Sequence, residues 1–314
     1  MWHWVGLLAL WPAGAIALDV FVVDGQAYEI NGGAAYEING ETRNFVMQLY
    51  DPDHLAQSYV LQDGQRYRVH PQTGVLYPTL RQFAEDFEVG TLQELVGPGL
   101  GWTGFTLQSP CAPAEADYVR LRHDILDAQH SCIDNCLTTG APAHSGARAL
   151  IATAVPPRRG DVSKAALETG LLDARQGDLI RFGAQFRLAA GMPVSIVDFE
   201  ASYIYQGPGI RVMLDPDGTP WVELKWGAKP AWRPVQPVAV PQDRWFSLRL
   251  EVLLDRENGT VRLWLDDVLI IDGGGQTLPL ADAVIDRMEV GVTAATGVQT
   301  QVLVDALTFL VRGP

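Results

Sequence analysis

Positive charge is scarce in this chain. Against 37 Asp and Glu stand only 23 Lys and Arg, a formal net charge of -14 over 314 residues. That balance excludes a binder of phosphate backbones, which needs clustered cations. It does not exclude an acidic sugar held in a locally basic groove, because net charge is not local potential. Cysteine is scarce too: Cys111, Cys132 and Cys136 are the full set, too few for a disulfide scaffold. The CIDNC stretch has x3 spacing and no second pair, so it is not a zinc pattern. An exported chain with three cysteines is expected to form one disulfide and leave one thiol. Long apolar runs are missing beyond the N-terminus. The opening MWHWVGLLALWPAGAIA has no Asp, Glu, Lys or Arg, but Asp19 ends it short of the roughly 20 residues a spanning helix requires. Its small-residue close, Ala15-Ile16-Ala17, reads as a secretory signal over 1–17 cleaved before Leu18, although no Lys or Arg marks its start. A secreted or periplasmic protein without a membrane span is expected. No Ser-His-Asp arrangement, phosphate-binding loop or dinucleotide fingerprint occurs.

What is present is apolar material, 47% of residues, arranged for strands. Residues 18–104 read as a small β module and linker. AYEINGG at 27–33 is echoed by AYEINGE at 35–41, and DGQAYEI at 24–30 by DGQRYRV at 63–69. Asp-Gly and Asn-Gly between alternating apolar residues are hairpin turns, because type I′ turns need positive φ at both central positions. Between 115 and 131, Tyr118, Leu121, Ile125 and Leu126 recur at helical spacing and predict one short helix. His123 and His130 fall off that stripe. From about 147 the pattern is strand after strand, with Asp217-Gly218, Asn258-Gly259 and Gly273-Gly274-Gly275 as punctuation. GAKPAWRPVQPVAVP reads as a long loop. The fold class is therefore all-β, a sandwich or jelly roll over 105–314.

Period-two alternation separates two faces. In SIVDFEASY, Asp198 and Glu200 oppose Val197 and Phe199. In PWVELKW, Glu223 and Lys225 oppose Val222, Leu224 and Trp226. In WFSLRLEVLL, Arg249 and Glu251 oppose Leu248, Leu250 and Val252. In TVRLWLD, Arg262 and Trp264 oppose Val261, Leu263 and Leu265. One solvent-facing sheet surface of paired acids and bases is expected, with Arg211 near Asp198 and Glu200, and with Trp264 as an aromatic platform among charges. Stacking on an aromatic ring plus charged hydrogen bonds is what sugar recognition uses.

The run WFSLRLEVLLDRENGTVRLWLDDVLIIDGGGQTLP, followed by RMEVGVTA and VLVDALTFL, resembles concanavalin A-like jelly rolls, and among them heparin-lyase- and alginate-lyase-like polysaccharide lyases. The matching features are the Trp that opens a strand, the VRLWLDD hairpin and the closing VDAL; they cover roughly 105–312. The resemblance implies a polysaccharide lyase-like protein acting on a uronic-acid-containing glycan. The alternatives are a non-catalytic carbohydrate-binding protein and a surface-adhesion protein. Jelly-roll glucanases carry Glu-x-Asp-x-Glu; here Asp198 and Glu200 match its last two acids, but Ile196 stands at the nucleophile position, which a retaining mechanism needs. The Gln-x-His of jelly-roll alginate lyases is missing. β-Elimination needs a cation to neutralise the uronate and a Tyr or His to move the proton. Glu200, Arg211 and Lys225 are the catalytic candidates. Asp198, Tyr203, Tyr205, Glu223, Arg249, Arg262 and Trp264 are the carbohydrate-binding candidates, with Lys229 also at hand. A lone loop histidine, His144, reads as solvated. No cofactor is expected: calcium has one opening, Asp215-Pro216-Asp217-Gly218, and without further oxygen ligands that stretch reads as a plain turn. The expected partner is a polysaccharide, not a nucleic acid, bound by a monomer.

Overall fold

The computed structural model describes the backbone of strands within 20–78, together with residues 79–96, 101–108, 125, 135–157, 162–202, 204, 207–225, 231–280 and 283–314. The expected signal segment over 1–17, Cys111, Cys132, Tyr203, Tyr205, Trp226, Lys229 and all of 115–131 except Ile125 lie outside these residues. Ile125 is helical and buried. Cys136 is disulfide-bonded. Among the described residues no helix is long and apolar enough to cross a membrane.

The first strands are β1 (Val20–Val23), β2 (Gln26–Asn31), β3 (Ala35–Ile38), β4 (Glu41–Asn44), β5 (Tyr59–Gln62), β6 (Gln65–Val69) and β7 (Leu76–Pro78). They form an antiparallel sheet in the order β4-β3-β2-β1-β5-β6-β7. Val23 pairs with Gln26, Ile38 with Glu41 and Gln62 with Gln65. Each pairing leaves two residues between strands: Asp24-Gly25, Asn39-Gly40 and Asp63-Gly64. The hairpins thus close where turn chemistry placed them.

The remaining strands are β8 (Gln82–Glu85), β9 (Gly104–Gln108), β10 (Cys136–Gly140), β11 (Ala149–Ala154), β12 (Ser163–Thr169), β13 (Leu179–Ala190), β14 (Ser195–Glu200), β15 (Gly209–Leu214), β16 (Pro220–Lys225), β17 (Ala231–Trp232), β18 (Trp245–Leu253), β19 (Gly259–Leu265), β20 (Val268–Gly275), β21 (Arg287–Ala295) and β22 (Thr300–Arg312). They build two antiparallel sheets. One runs β10-β11-β22-β13-β18-β19-β20, with β8 also pairing β22; the other runs β17-β16-β15-β14-β21-β12-β9. Together they make a jelly-roll sandwich, as expected. It takes in residues ahead of 105: β8 pairs β22, and Phe87, Leu92, Leu95 and Trp102 are buried in its core. The stretch 260–271 divides into β19 and β20 around Asp266 and Asp267, whose φ of 47° and 64° make the two-residue turn that a hairpin prefers.

The core lies between the sheets. Phe199 of β14 meets Phe182 of β13 edge-on at 5.8 Å and stacks near Phe309 of β22 at 5.9 Å, which ties one sheet to the other. Each such ring contributes roughly 1.5–3 kcal/mol by leaving water. In β13, Ile180, Phe182, Ala184, Phe186 and Leu188 are buried, as its alternation predicts. β14 is different: every residue is buried. Ile196 and Val197 both join the core because a bulge between Ser195 and Val197 shifts the register.

Candidate functional site

The outer face of the β17–β9 sheet carries a charged lattice. In strand register, Glu223 (β16) lies opposite Arg211 (β15), Arg211 opposite Asp198 (β14), Asp198 opposite Glu289 (β21), and Glu289 opposite Glu168 (β12). A second row runs Lys225, Gly209, Glu200, Arg287. Neighbours in a row sit one strand spacing apart, about 4.8 Å, so carboxylates and cations from adjacent strands reach one another.

Lys225 Nζ binds Glu200 Oε1 and lies 3.9 Å from Asp198 Oδ2. Arg287 Nε donates to Glu200 Oε2 at 2.9 Å, its Nη2 binds the same oxygen, and its Nη1 is 3.9 Å from Glu168 Oε2. Lys164 Nζ binds Glu289 Oε2. Arg211 donates from Nε (2.9 Å) and Nη2 to Glu223 Oε1. Hydroxyls fill the gaps: Thr293 Oγ1 donates to Asp198 Oδ1 at 3.1 Å, and Thr106 Oγ1 lies 2.5 Å from Glu168 Oε2 and 3.0 Å from Glu289 Oε1.

Expected at a wet surface, Asp198 and Glu200 are instead 1% exposed. β14 is flanked on both sides, and long cationic side chains from β16 and β21 fold over its carboxylates. The electrostatics follow from this burial. Loss of solvent pushes the Asp198 carboxyl up to about 6, against the pull of Lys164 and Arg211 and with Glu289 and Glu200 adding to the rise. Burial acts on Glu200 in the same sense, but Lys225, Arg287 and Lys164 together outweigh it and hold Glu200 below the usual carboxylate range. Burial alone would lower Lys164; Glu289, Asp198 and Glu200 reverse that and raise it.

Asp198, Glu200 and Glu289 bring carboxylate oxygens within 4.8 Å of one another, a donor set a hard cation would accept. Lys164 and Lys225 already sit on those carboxylates, so a metal would compete with protein cations. At Asp215-Pro216-Asp217-Gly218 the backbone closes a turn, Gly218 N to Asp215 O at 2.8 Å, and the Asp215 carboxylate holds Arg233. Ile196 lies in the core, so the strand offers no third carboxylate where a retaining glycosidase needs one.

The expected sugar face divides in two. Asp198, Glu200, Arg211, Glu223 and Lys225 share the lattice, but Arg249, Arg262 and Trp264 belong to β18 and β19 of the other sheet. There Arg249 lies over the Trp264 ring at 4.3 Å, and Arg262 pairs with Asp272 at 3.1 Å and Glu251 at 3.6 Å. The two outer faces of a sandwich point away from each other, so Trp264 cannot share a groove with Glu200. Strand alternation assigns in and out within a strand but not which sheet a strand joins. Lys164, Glu168, Arg287 and Glu289 complete the lattice and were not singled out. For Arg287 and Glu289 the signal was present, since they alternate with Met288 and Val290 in RMEV. For Lys164 and Glu168 it was not: SKAALET is rich in helix formers.

No protein-family model matches the chain, and no curated protein matches it. Among solved structures, the endo-β-1,4-glucuronan lyase from the fungus Trichoderma reesei is similar, with a TM-score of 0.50 at 15% identity over 75% of this chain and 96% of that one. A cellulose-induced protein aligns over 74% of this chain and 97% of its own at TM-score 0.46 and 15% identity. An alginate lyase from Chlorella virus aligns over 56% and 90% at TM-score 0.42 and 11% identity. The jelly-roll sandwich of this chain is thus a fold it shares with the glucuronan lyase.

Proposed function

We propose that this protein is a secreted polysaccharide lyase that acts on a uronic-acid polymer across the outer face of the β17–β9 sheet. The observation that carries the reading is the lattice itself: Arg211, Lys225 and Arg287 stand on one face, partly exposed, with Glu223 and Glu200 holding them in place. A uronate exchanging onto such cations has its carboxylate neutralised, which acidifies the C5 proton. In the elimination the C5–H electron pair forms the C4=C5 double bond, the C4–O bond breaks, and the leaving oxygen takes a proton. Arg211 and Lys225 are assigned to the carboxylate, and Glu200 to orienting Lys225 and Arg287. Tyr203 and Tyr205, which follow β14 in the chain, are assigned to the proton. The glucuronan lyase of the same fold supports glucuronan as the first substrate to try.

One observation favours a second reading, a non-catalytic binder of the same glycan: each of these cations already has a carboxylate partner. Incubation with glucuronan, alginate and heparin, followed by the ultraviolet band of the unsaturated uronate, separates the two. Rising absorbance that Arg211→Gln abolishes is the lyase result. A flat trace with retention on a glucuronan gel is the binder result, and neither signal removes both readings.

A further inference from the structure

Beyond the ion lattice, β16 puts one more side chain on the same face. Trp221 alternates with the buried Val222 and so shares its side with Glu223 and Lys225. The same-face repeat along a strand places Trp221 about 13 Å from Lys225. Across the sheet its neighbours are the buried Met213 of β15 and, beyond that, the buried Ser195 of β14, so the lattice rows of charge end before this position. Arg233 lies over the Trp221 ring, its guanidinium carbon 4.2 Å from the centroid. Asp215 holds that guanidinium through Oδ2 to Nη1 and through Oδ1 to Nη2 at 3.4 Å. The Arg233 side chain is nevertheless 50% exposed, and among the described residues its Nε donates to nothing. The Trp221 indole N–H is also without an acceptor there. Buried donors of that kind nearly always have a partner.

We propose that Trp221 and Arg233 form a distal sugar subsite, which takes a uronic acid residue of the same glycan chain whose reacting part lies on the lattice. This rests on the reading of that face as the glycan site. A pyranose offers an equatorial carboxylate for the fixed guanidinium and an apolar ring face for the part of the half-buried indole that Arg233 leaves uncovered, so an aromatic contact and a charge-assisted bond act on one sugar unit. Asp215 pre-orients Arg233, which lowers the entropy lost on binding. Reach follows from the spacing: a short oligomer on the lattice cannot touch Trp221, and a longer one can.

Calorimetric titration with glucuronan oligomers of graded length tests this on the full chain. Trp221→Ala should weaken long oligomers about tenfold, the scale of truncating an aromatic anchor, and leave the shortest binding oligomer unchanged. Trp221→Phe should keep most of the affinity, because a ring remains. Arg233→Gln, at an exposed position that folding tolerates, should show the same length dependence and carries the test if Trp221→Ala fails to fold. Losses equal at every length, or absent at every length, overturn the subsite and leave the reading of the lattice standing. Unsubstituted protein that binds no oligomer overturns both.

Discussion

Asp198 makes stability depend on pH in a direction opposite to that of an ordinary salt-bridged acid. Its carboxyl is 1% exposed, with Thr293, Lys225, Arg211, Lys164, Glu200 and Glu289 around it, and titrates near 6 instead of 3.8. A folded pKa above the unfolded one means the folded state binds the proton more tightly. Ionised Asp198 therefore costs stability at high pH, and the cost disappears as pH falls through 6 towards 4. A carboxyl pushed from 3.8 up to about 6 corresponds to about 3 kcal/mol in full above pH 7, of which nearly half is recovered by pH 5. Glu200 shifts the other way, so its contribution is lost only below the unfolded carboxylate range, outside this window. Urea midpoints at pH 5, 6 and 7 for the protein and for Asp198→Asn measure the effect. Asn keeps the shape and accepts the Thr293 hydrogen bond but cannot ionise. The parent should gain about 1 kcal/mol relative to the variant between pH 7 and pH 5. Parallel curves would refute the argument, since the buried carboxyl would then be titrating as if in water.

Glu200→Gln should cost about 3 kcal/mol in urea melts at pH 7, because Lys225 and Arg287 lose a shared buried partner; a double-mutant cycle with Lys225→Met should show strong coupling, and additivity would contradict the contact. Gly209→Ala should destabilise by at least about 3 kcal/mol, since its Cβ would lie 1.8 Å from the Phe199 carbonyl oxygen at the β14–β15 pairing; a melt within 1 kcal/mol of the parent would refute the close approach. Trp264→Ala should leave glucuronan retention unchanged while costing about 1 kcal/mol, because its ring meets Arg249 on the opposite outer face; lost retention would place a binding surface there.

Much of the architecture is legible in the chain. Hairpins close at Asp24-Gly25, Asn39-Gly40 and Asp63-Gly64 because the turn chemistry there is local. The buried side of β13, β16, β18 and β19 follows from a period of two, which a strand imposes on itself. Where the pattern is local, reading it is enough. β12 shows where propensity fails: SKAALET is rich in helix formers, yet it lies between β9 and β21 with nearly every residue buried, and its neighbours override its intrinsic preference.

For the site, the chain alone determines that Asp198 and Glu200 share a side, that Glu223 and Lys225 share a side, and that each pair turns away from the core. Which strands lie next to each other is decided only by the sheet order. That order sets Lys225 and Arg287 on Glu200, Lys164 on Glu289, and Arg249 with Trp264 on the far side of the sandwich. The same order determines burial, because a carboxylate on a central strand is covered from both sides, by Arg287 of the neighbouring β21 and by Lys225 of β16 reaching over Gly209, and the same residue on an edge strand would meet water. Residues 125 apart, Lys164 and Glu289, carry no mark of each other in the sequence; only the tertiary structure brings their charges into contact.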